Sequence, residues 1–219
     1  MHAAVEHTLA FLLGEIGARR RVLEVGCGDG RVAVELARRG LEMTALDVSL
    51  AGLCEEARAG AGVVFHEQDV LDHRGGPYDA VVFTRSLHHI ADPVLALSRV
   101  RGCVVAGGLL LAEEFDVEAP DEPTAAWYFG GAEDALARWR KEHEADPPLN
   151  TAEAMRRALT SAGYAIAREE RVAYLYRALA NRPGADEASR ILRVEQTAIR
   201  SGRILPVGLR IVAIACARG

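Results

Sequence analysis

Apolar residues recur along the chain in two rhythms, and their alternation sets the first expectation for the fold. Over residues 3–17 they fall at Ala4, Leu9, Leu12, Leu13 and Ile16, a spacing that predicts an amphipathic N-terminal helix. Residues 21–26 (RVLEVG) form a short apolar run of strand type. Residues 31–39 (RVAVELARR) return to helical spacing and stop at Gly40. The alternation continues with strands predicted at 41–46, 63–65, 78–83 and 109–113. Helices are predicted at 49–59, with Ser49 as N-cap, and at 91–101, with Pro93 in the first turn, where proline is tolerated. Gly107-Gly108 reads as a turn before the fifth strand. These strands are apolar throughout, as expected for a parallel sheet covered on both faces. Strand–helix alternation at this pitch predicts a doubly wound α/β sheet.

After Phe115 the rhythm breaks. Residues 116–149 hold Pro120, Pro123, Gly130, Gly131, Pro147 and Pro148, with one helical piece at 132–144. Asn150-Thr151 opens a helix that Gly163 ends. A strand at 164–175, a helix at 186–201 and a last apolar strand at 206–217 follow.

Composition narrows the class. Half of the 219 residues are hydrophobic and only 5% are aromatic, so Ala, Val and Leu must fill most of the core. The net charge of −5 disfavours a nucleic-acid partner. Cys27, Cys54, Cys103 and Cys216 form no C-x-x-C pair and read as free buried thiols in a reducing compartment. No run approaches a membrane span, and the N-terminus lacks a secretory layout, so a cytoplasmic protein is expected, as monomer or homodimer.

The chemistry begins at Glu24-Val25-Gly26-Cys27-Gly28-Asp29-Gly30, between the first strand and the first helix of the alternation. Glycine there lets the backbone approach a ligand and adopt φ > 0, the mark of a nucleotide-type cofactor loop. Asp47 lies 17 residues beyond Gly30 at the end of the second strand, placed to accept from both ribose hydroxyls. A dinucleotide loop would share that logic, but Arg31 stands where its third glycine would fall. A pocket edged by Glu24, Asp47 and Asp69 suits a cationic, ribose-bearing ligand better than a pyrophosphate.

VLEVGCGDG resembles motif I of the class I (Rossmann-like) S-adenosylmethionine-dependent methyltransferases. Asp47 matches that family's ribose acid. Gln68-Asp69-Val70 resembles the segment whose Asp meets the adenine amino group. YDAVVFTRSLHHIADP and VRGCVVAGGLLLAEE resemble its fourth- and fifth-strand motifs, with Ala106 in place of the usual Pro. The likeness covers residues 21–115. It implies a seven-stranded sheet of order 3-2-1-4-5-7-6 with the last strand antiparallel. It also implies S-adenosyl-L-methionine as cofactor, S-adenosyl-L-homocysteine as product, and cofactor contacts from Glu24, Gly26, Cys27, Gly28, Asp47, Val48, Asp69, Val70 and Thr84. One domain is expected: an N-terminal helix (1–20), a cofactor-binding core (21–115), a helical lid insertion (116–149) and the rest of the sheet (150–219).

Leu87-His88-His89 follows the fourth strand and resembles the L-H-D-W motif of small-molecule O-methyltransferases, whose first His is the base. His88 matches that position, and His89 replaces the Asp. Neutral imidazole is a natural general base, yet the same L-H-H also serves structure in many class I enzymes. Of Glu113 and Glu114, alternation sends one to the crevice, where it would orient a substrate or hold a catalytic His. Glu114 is taken with His88 and His89 as the catalytic set; the plain alternative is a strand-end charge in solvent. No magnesium-binding Asp/Asn cluster is evident, and no metal is expected. Trp127, Tyr128 and Phe129 either contact an apolar substrate or the methyl donor, or form the lid's own core. Arg190, Arg193 and Arg200 read as solvated, with contact to an acidic substrate as the lesser alternative. The expected reaction is methyl transfer to an O, N or C atom of a small-molecule acceptor. An NAD-dependent dehydrogenase and a non-catalytic S-adenosylmethionine-binding protein are the rival readings.

Overall fold

Helix α1 (Ala3–Ile16) turns Leu9, Leu12 and Ile16 onto one face of a sheet. The computed structural model describes residues 3–180 and 188–217. The sheet contains β1 (Arg21–Val25), β2 (Glu42–Asp47), β3 (Val63–Glu67), β4 (Tyr78–Thr84), β5 (Val104–Phe115), β6 (Tyr164–Val172) and β7 (Gly208–Ala215). Their order is β3-β2-β1-β4-β5-β7-β6. The first five strands pair in parallel, and β7 runs antiparallel between β5 and β6. This is the expected seven-stranded order, with the last strand antiparallel.

Side chains alternate between the two covered faces. Val22, Val82 and Leu111 meet α1 and α2 (Arg31–Arg38). Leu23, Phe83 and Leu110 meet α4 (Pro93–Cys103) and α7 (Ala152–Ser161). By the same alternation Glu24 and Glu113 belong to the first face and Glu114 to the second. Asp92 caps α4 through Leu95 N–H, and Thr151 caps α7 through Ala154 N–H.

Local differences have local causes. The helix expected at 49–59 shrinks to α3 (Glu55–Arg58). Ser49 is no cap, because its Oγ accepts from Ala51 N–H while Glu67 takes Leu50 N–H across to β3. Gly107-Gly108 is not a turn but lies within the 12-residue β5, at a register shift opposite Tyr78–Ala80. Residues 116–149 hold two helices instead of one, α5 (Glu122–Tyr128) and α6 (Ala135–Glu142), and α8 (Leu175–Ala180) follows β6. Helix α9 is described over Ala188–Arg200, and the expected start at Asp186 lies outside the described residues. All four thiols are unpaired, but only Cys27 and Cys103 are buried; Cys54 is half-buried and Cys216 exposed.

A third cluster packs beyond the carboxyl end of β5. Phe115, Tyr128, Trp139, Leu175 and Val207 bring α5, α6 and α8 together. The Trp139 indole N–H donates to Val117 O at 2.8 Å.

Candidate active site

Parallel strands leave their ligand crevice at the carboxyl ends, and two clefts open there. The first, of about 430 Å³, is bordered by Gly26, Gly28, Asp47, Val48, Asp69 and Val70, all expected at the cofactor. Gly26 and Gly28 hold φ of 73° and 54°. A Cβ on Gly26 would stand 2.3 Å from Ser86 Cβ, whereas a Cβ on Gly28 would meet nothing within 4 Å. The first glycine therefore closes the loop onto Ser86, just past β4, and the second leaves an open cradle. Asp47 Oδ2 accepts Gly28 N–H at 2.8 Å, so the acid of β2 also fastens the loop. Asp69 accepts Leu71 N–H at 2.8 Å and opens a short 3-10 turn at Val70–Asp72.

Three residues expected at the cofactor lie around the loop instead of on the cleft wall. Glu24, Cys27 and Thr84 do not border the cleft; they are buried around the loop. Glu24 is 0% exposed. Its Oε1 accepts from Thr84 Oγ1 at 2.8 Å, and its Oε2 has no hydrogen-bond partner among the described residues. Burial pushes its carboxyl up to about 7. Burial, together with the nearby Glu24 and Asp47, pushes the Cys27 thiol up to about 12. The loop thus lies in a negative field, with an orphaned carboxylate oxygen in its surroundings. That field repels a pyrophosphate and suits the sulfonium and ammonium groups of S-adenosylmethionine. Gln68, Arg85, Ser86 and Ile90 also border the cleft. They lie in the segments that resemble the family's motifs but are not among the expected cofactor contacts, although Arg85 and Ser86 follow the last residue of β4, where the strand-end rule points.

The second cleft, of about 440 Å³, shares Arg85 and His89 with the first and adds His88, Phe115, His143 and Tyr174. Glu114 lies behind it. Its Oε2 is 2.5 Å from His88 Nδ1, and its Oε1 accepts the backbone N–H groups of Ser86 and Leu87 at 3.0 and 2.8 Å. A carboxylate in that position selects the Nδ1–H tautomer, leaving Nε2 of His88 as the acceptor. Asn150 braces the same turn by donating to Leu87 O and Ile90 O. The His89 ring lies 4.1 Å from that of His88, and burial with the neighbouring His88 lowers its pKa.

Glu113 faces away from this site but is not in solvent either. It accepts from Thr8 and pairs with Arg177 at 2.7 Å and Arg210 at 2.6 Å, tying α1, β5, α8 and β7 together. Burial opposes its charged form, but Arg177 and Arg210 prevail and hold the carboxyl below its usual range. Trp127, Tyr128 and Phe129 border neither cleft. Tyr128 donates to Glu142, and Phe129 lies under Arg138, so the aromatic run packs within the insertion. Among the described residues no helix is long and apolar enough to cross a membrane.

A family model described as "Methyltransferase domain" matches residues 1–169. An uncharacterized methyltransferase of Mycobacterium tuberculosis is 34% identical over 148 residues, which span 62% of this chain and 73% of that protein. A ubiquinone biosynthesis O-methyltransferase of Sodalis glossinidius is 35% identical over 91 residues, 38% of this chain and 35% of that protein. Among solved structures, an S-adenosylmethionine-dependent methyltransferase from Mesorhizobium loti has TM-score 0.63 at 19% identity, over 95% of this chain and 96% of that one. The 1,6-didemethyltoxoflavin-N1-methyltransferase of Burkholderia thailandensis, solved with S-adenosylhomocysteine, has TM-score 0.61 at 20% identity, over 99% of this chain and 80% of that one.

Proposed function

This chain belongs to the methyltransferase-domain family and is a class I S-adenosylmethionine-dependent methyltransferase; from that premise we propose that it methylates an oxygen, nitrogen or carbon atom of a small-molecule acceptor held in the second cleft, with His88 as the base. The dehydrogenase reading falls with the family. The observation that carries the proposal is the junction of the two clefts at Arg85 and His89, with the His88–Glu114 pair on the acceptor side.

S-adenosylmethionine supplies a methyl group already activated by its sulfonium, so the chain needs mainly to align the acceptor and remove one proton. Asp47 and Asp69 are assigned to the ribose and adenine, Gly26 and Gly28 to the close backbone approach, and Val48 and Val70 to the ring. Glu24, Cys27 and Thr84 act behind the loop: Thr84 donates to Glu24, whose carboxyl, raised by burial, a bound cation would draw to its ionised form. Glu114 is a positioning residue that orients His88 and sets its tautomer. His89, held neutral near pH 7, adds no positive charge beside the sulfonium. Residues 116–149 serve as the lid of a single domain, contributing His143 to the cleft wall.

A cleft of about 440 Å³ is of small-ligand size, and the net charge of −5 offers little to a nucleic acid. The four unpaired thiols fit a cytoplasmic setting. The test is incubation with methyl-labelled S-adenosylmethionine and separate pools of phenols, amines, carboxylic acids, RNA and protein. Label should enter a small molecule with release of S-adenosylhomocysteine. Label in RNA or protein alone would overturn the acceptor class.

A further inference from the structure

The second cleft carries a chemical bias of its own. Arg85 is a non-glycine residue at φ 60°, a conformation found mostly where the surroundings enforce it. Its backbone N–H donates to Glu113 O at 2.8 Å, which holds the residue between β4 and the turn at Leu87–His89. Its side chain borders both clefts. Among the described residues its guanidinium makes no ion pair or hydrogen bond, whereas Arg177 and Arg210 are both paired to Glu113.

The walls around that cation are aromatic. Phe115 and Tyr174 stack at 5.0 Å between centroids, and His88 meets Phe115 edge-on at 4.6 Å. The charge of Arg85 reaches Tyr174, where it works against the burial that pushes the phenol up. Two imidazoles offer acceptor nitrogens. His88 has Nδ1 committed to Glu114, and His143 has Nδ1 2.9 Å from Trp139 O, which leaves Nε2 as acceptor in each. Two carboxylates border the same cleft. Glu142 is turned to Tyr128 by a 3.0 Å hydrogen bond, and Glu144 is exposed at the rim.

We propose that the acceptor is a hydroxylated aromatic carboxylate, with its carboxylate on Arg85, its ring against Phe115 and Tyr174, and its hydroxyl donated to His88. This rests on the reading of the second cleft as the acceptor site. A guanidinium matches a carboxylate in a planar, two-pronged contact. An aromatic wall favours a flat ring, and a bare Nε2 requires a donor, which a hydroxyl supplies. On methylation the hydroxyl oxygen bonds the methyl carbon as the carbon–sulfur bond breaks, the bonding pair leaving with sulfur. The hydroxyl proton passes to His88.

The test is calorimetric titration of S-adenosylhomocysteine-saturated protein with 3,4-dihydroxybenzoate, catechol and 3,4-dihydroxybenzylamine. The acid should bind about tenfold or more tighter than catechol, and the amine weakest. Arg85→Gln should bring the acid to the catechol level, Arg85→Lys should keep part of the preference, and S-adenosylhomocysteine affinity should stay within about twofold in both. Equal or tighter binding of catechol or amine, or no binding of the acid, overturns the proposal. So does a tenfold loss of S-adenosylhomocysteine affinity in Arg85→Gln, which would assign the guanidinium to the cofactor's own carboxylate. Methyl transfer to the acid is read separately: binding without product would leave the carboxylate site standing and remove His88 as base.

Discussion

Glu114 and His88 meet at 2.5 Å between Oε2 and Nδ1, with both side chains almost entirely buried. Because the other oxygen of Glu114 accepts two backbone N–H groups, the carboxylate cannot swing away from the imidazole without breaking the turn that carries it. Glu114→Gln tests the consequence. The amide oxygen can keep the backbone bonds, but its N–H₂ donates to Nδ1 and forces the proton onto Nε2, where an acceptor is needed. Turnover should fall at least about tenfold, with S-adenosylhomocysteine affinity unchanged. His88→Ala should match it. Full turnover in either variant would return the pair to a structural role.

Gly26 and Gly28 both hold positive φ, yet they should fail differently. Gly26→Ala drives a methyl group into Ser86, so the melting temperature should drop sharply. Gly28→Ala meets no atom, so it should lose only about 1–2 kcal/mol to backbone strain while weakening S-adenosylhomocysteine at least about tenfold by filling the cradle. Identical melting curves for the two variants would contradict this division.

Asp47 serves the loop and, by proposal, the ribose. Asp47→Asn preserves an oxygen for Gly28 N–H but gives up the charge, so cofactor affinity should fall about tenfold with little change in melting temperature. Asp47→Ala should lower both. If Asn binds S-adenosylhomocysteine as well as the parent, the carboxylate does not face the ribose.

Glu24 makes stability depend on pH. Its carboxyl lies near 4.5 when unperturbed and is raised to about 7 by burial in the fold. The folded state therefore holds the proton more tightly, so this contribution is full below about pH 4.5 and is lost as pH rises through about 7. The loss is on the order of 3 kcal/mol at most. Thermal melts of ligand-free Glu24→Gln should lack that decline and exceed the parent at pH 8. Parallel pH curves would show that Glu24 is already ionised in the fold.

Glu113 has the opposite sign. Held low by Arg177 and Arg210, it stabilises above the ordinary carboxyl range, and that stability is lost as pH falls through its lowered pKa. Glu113→Gln leaves the buried Arg177 and the partly buried Arg210 without their anion and should cost about 3–5 kcal/mol by denaturant unfolding. A loss below about 1 kcal/mol would mean that solvent replaces the carboxylate.

Much of this was legible in the chain alone. Continuous apolar runs and the spacing between them carried the alternation of strands and helices, because period and burial are local properties of a segment. The glycine loop, Asp47 and the strand-end motifs carried the cofactor, because their chemistry lies within short stretches of sequence. The family likeness supplied the strand order that the sheet adopts. Tertiary structure decided the rest. Nothing in Glu113-Glu114 says which carboxylate meets arginines and which meets a histidine. Thr8, Arg177 and Arg210 are 105, 64 and 97 residues away from Glu113 in the chain. Nor does Trp127-Tyr128-Phe129 reveal that it packs inward, or Arg85 that it borders both clefts. Those outcomes depend on which distant elements close over each face of the sheet, and no local pattern records that.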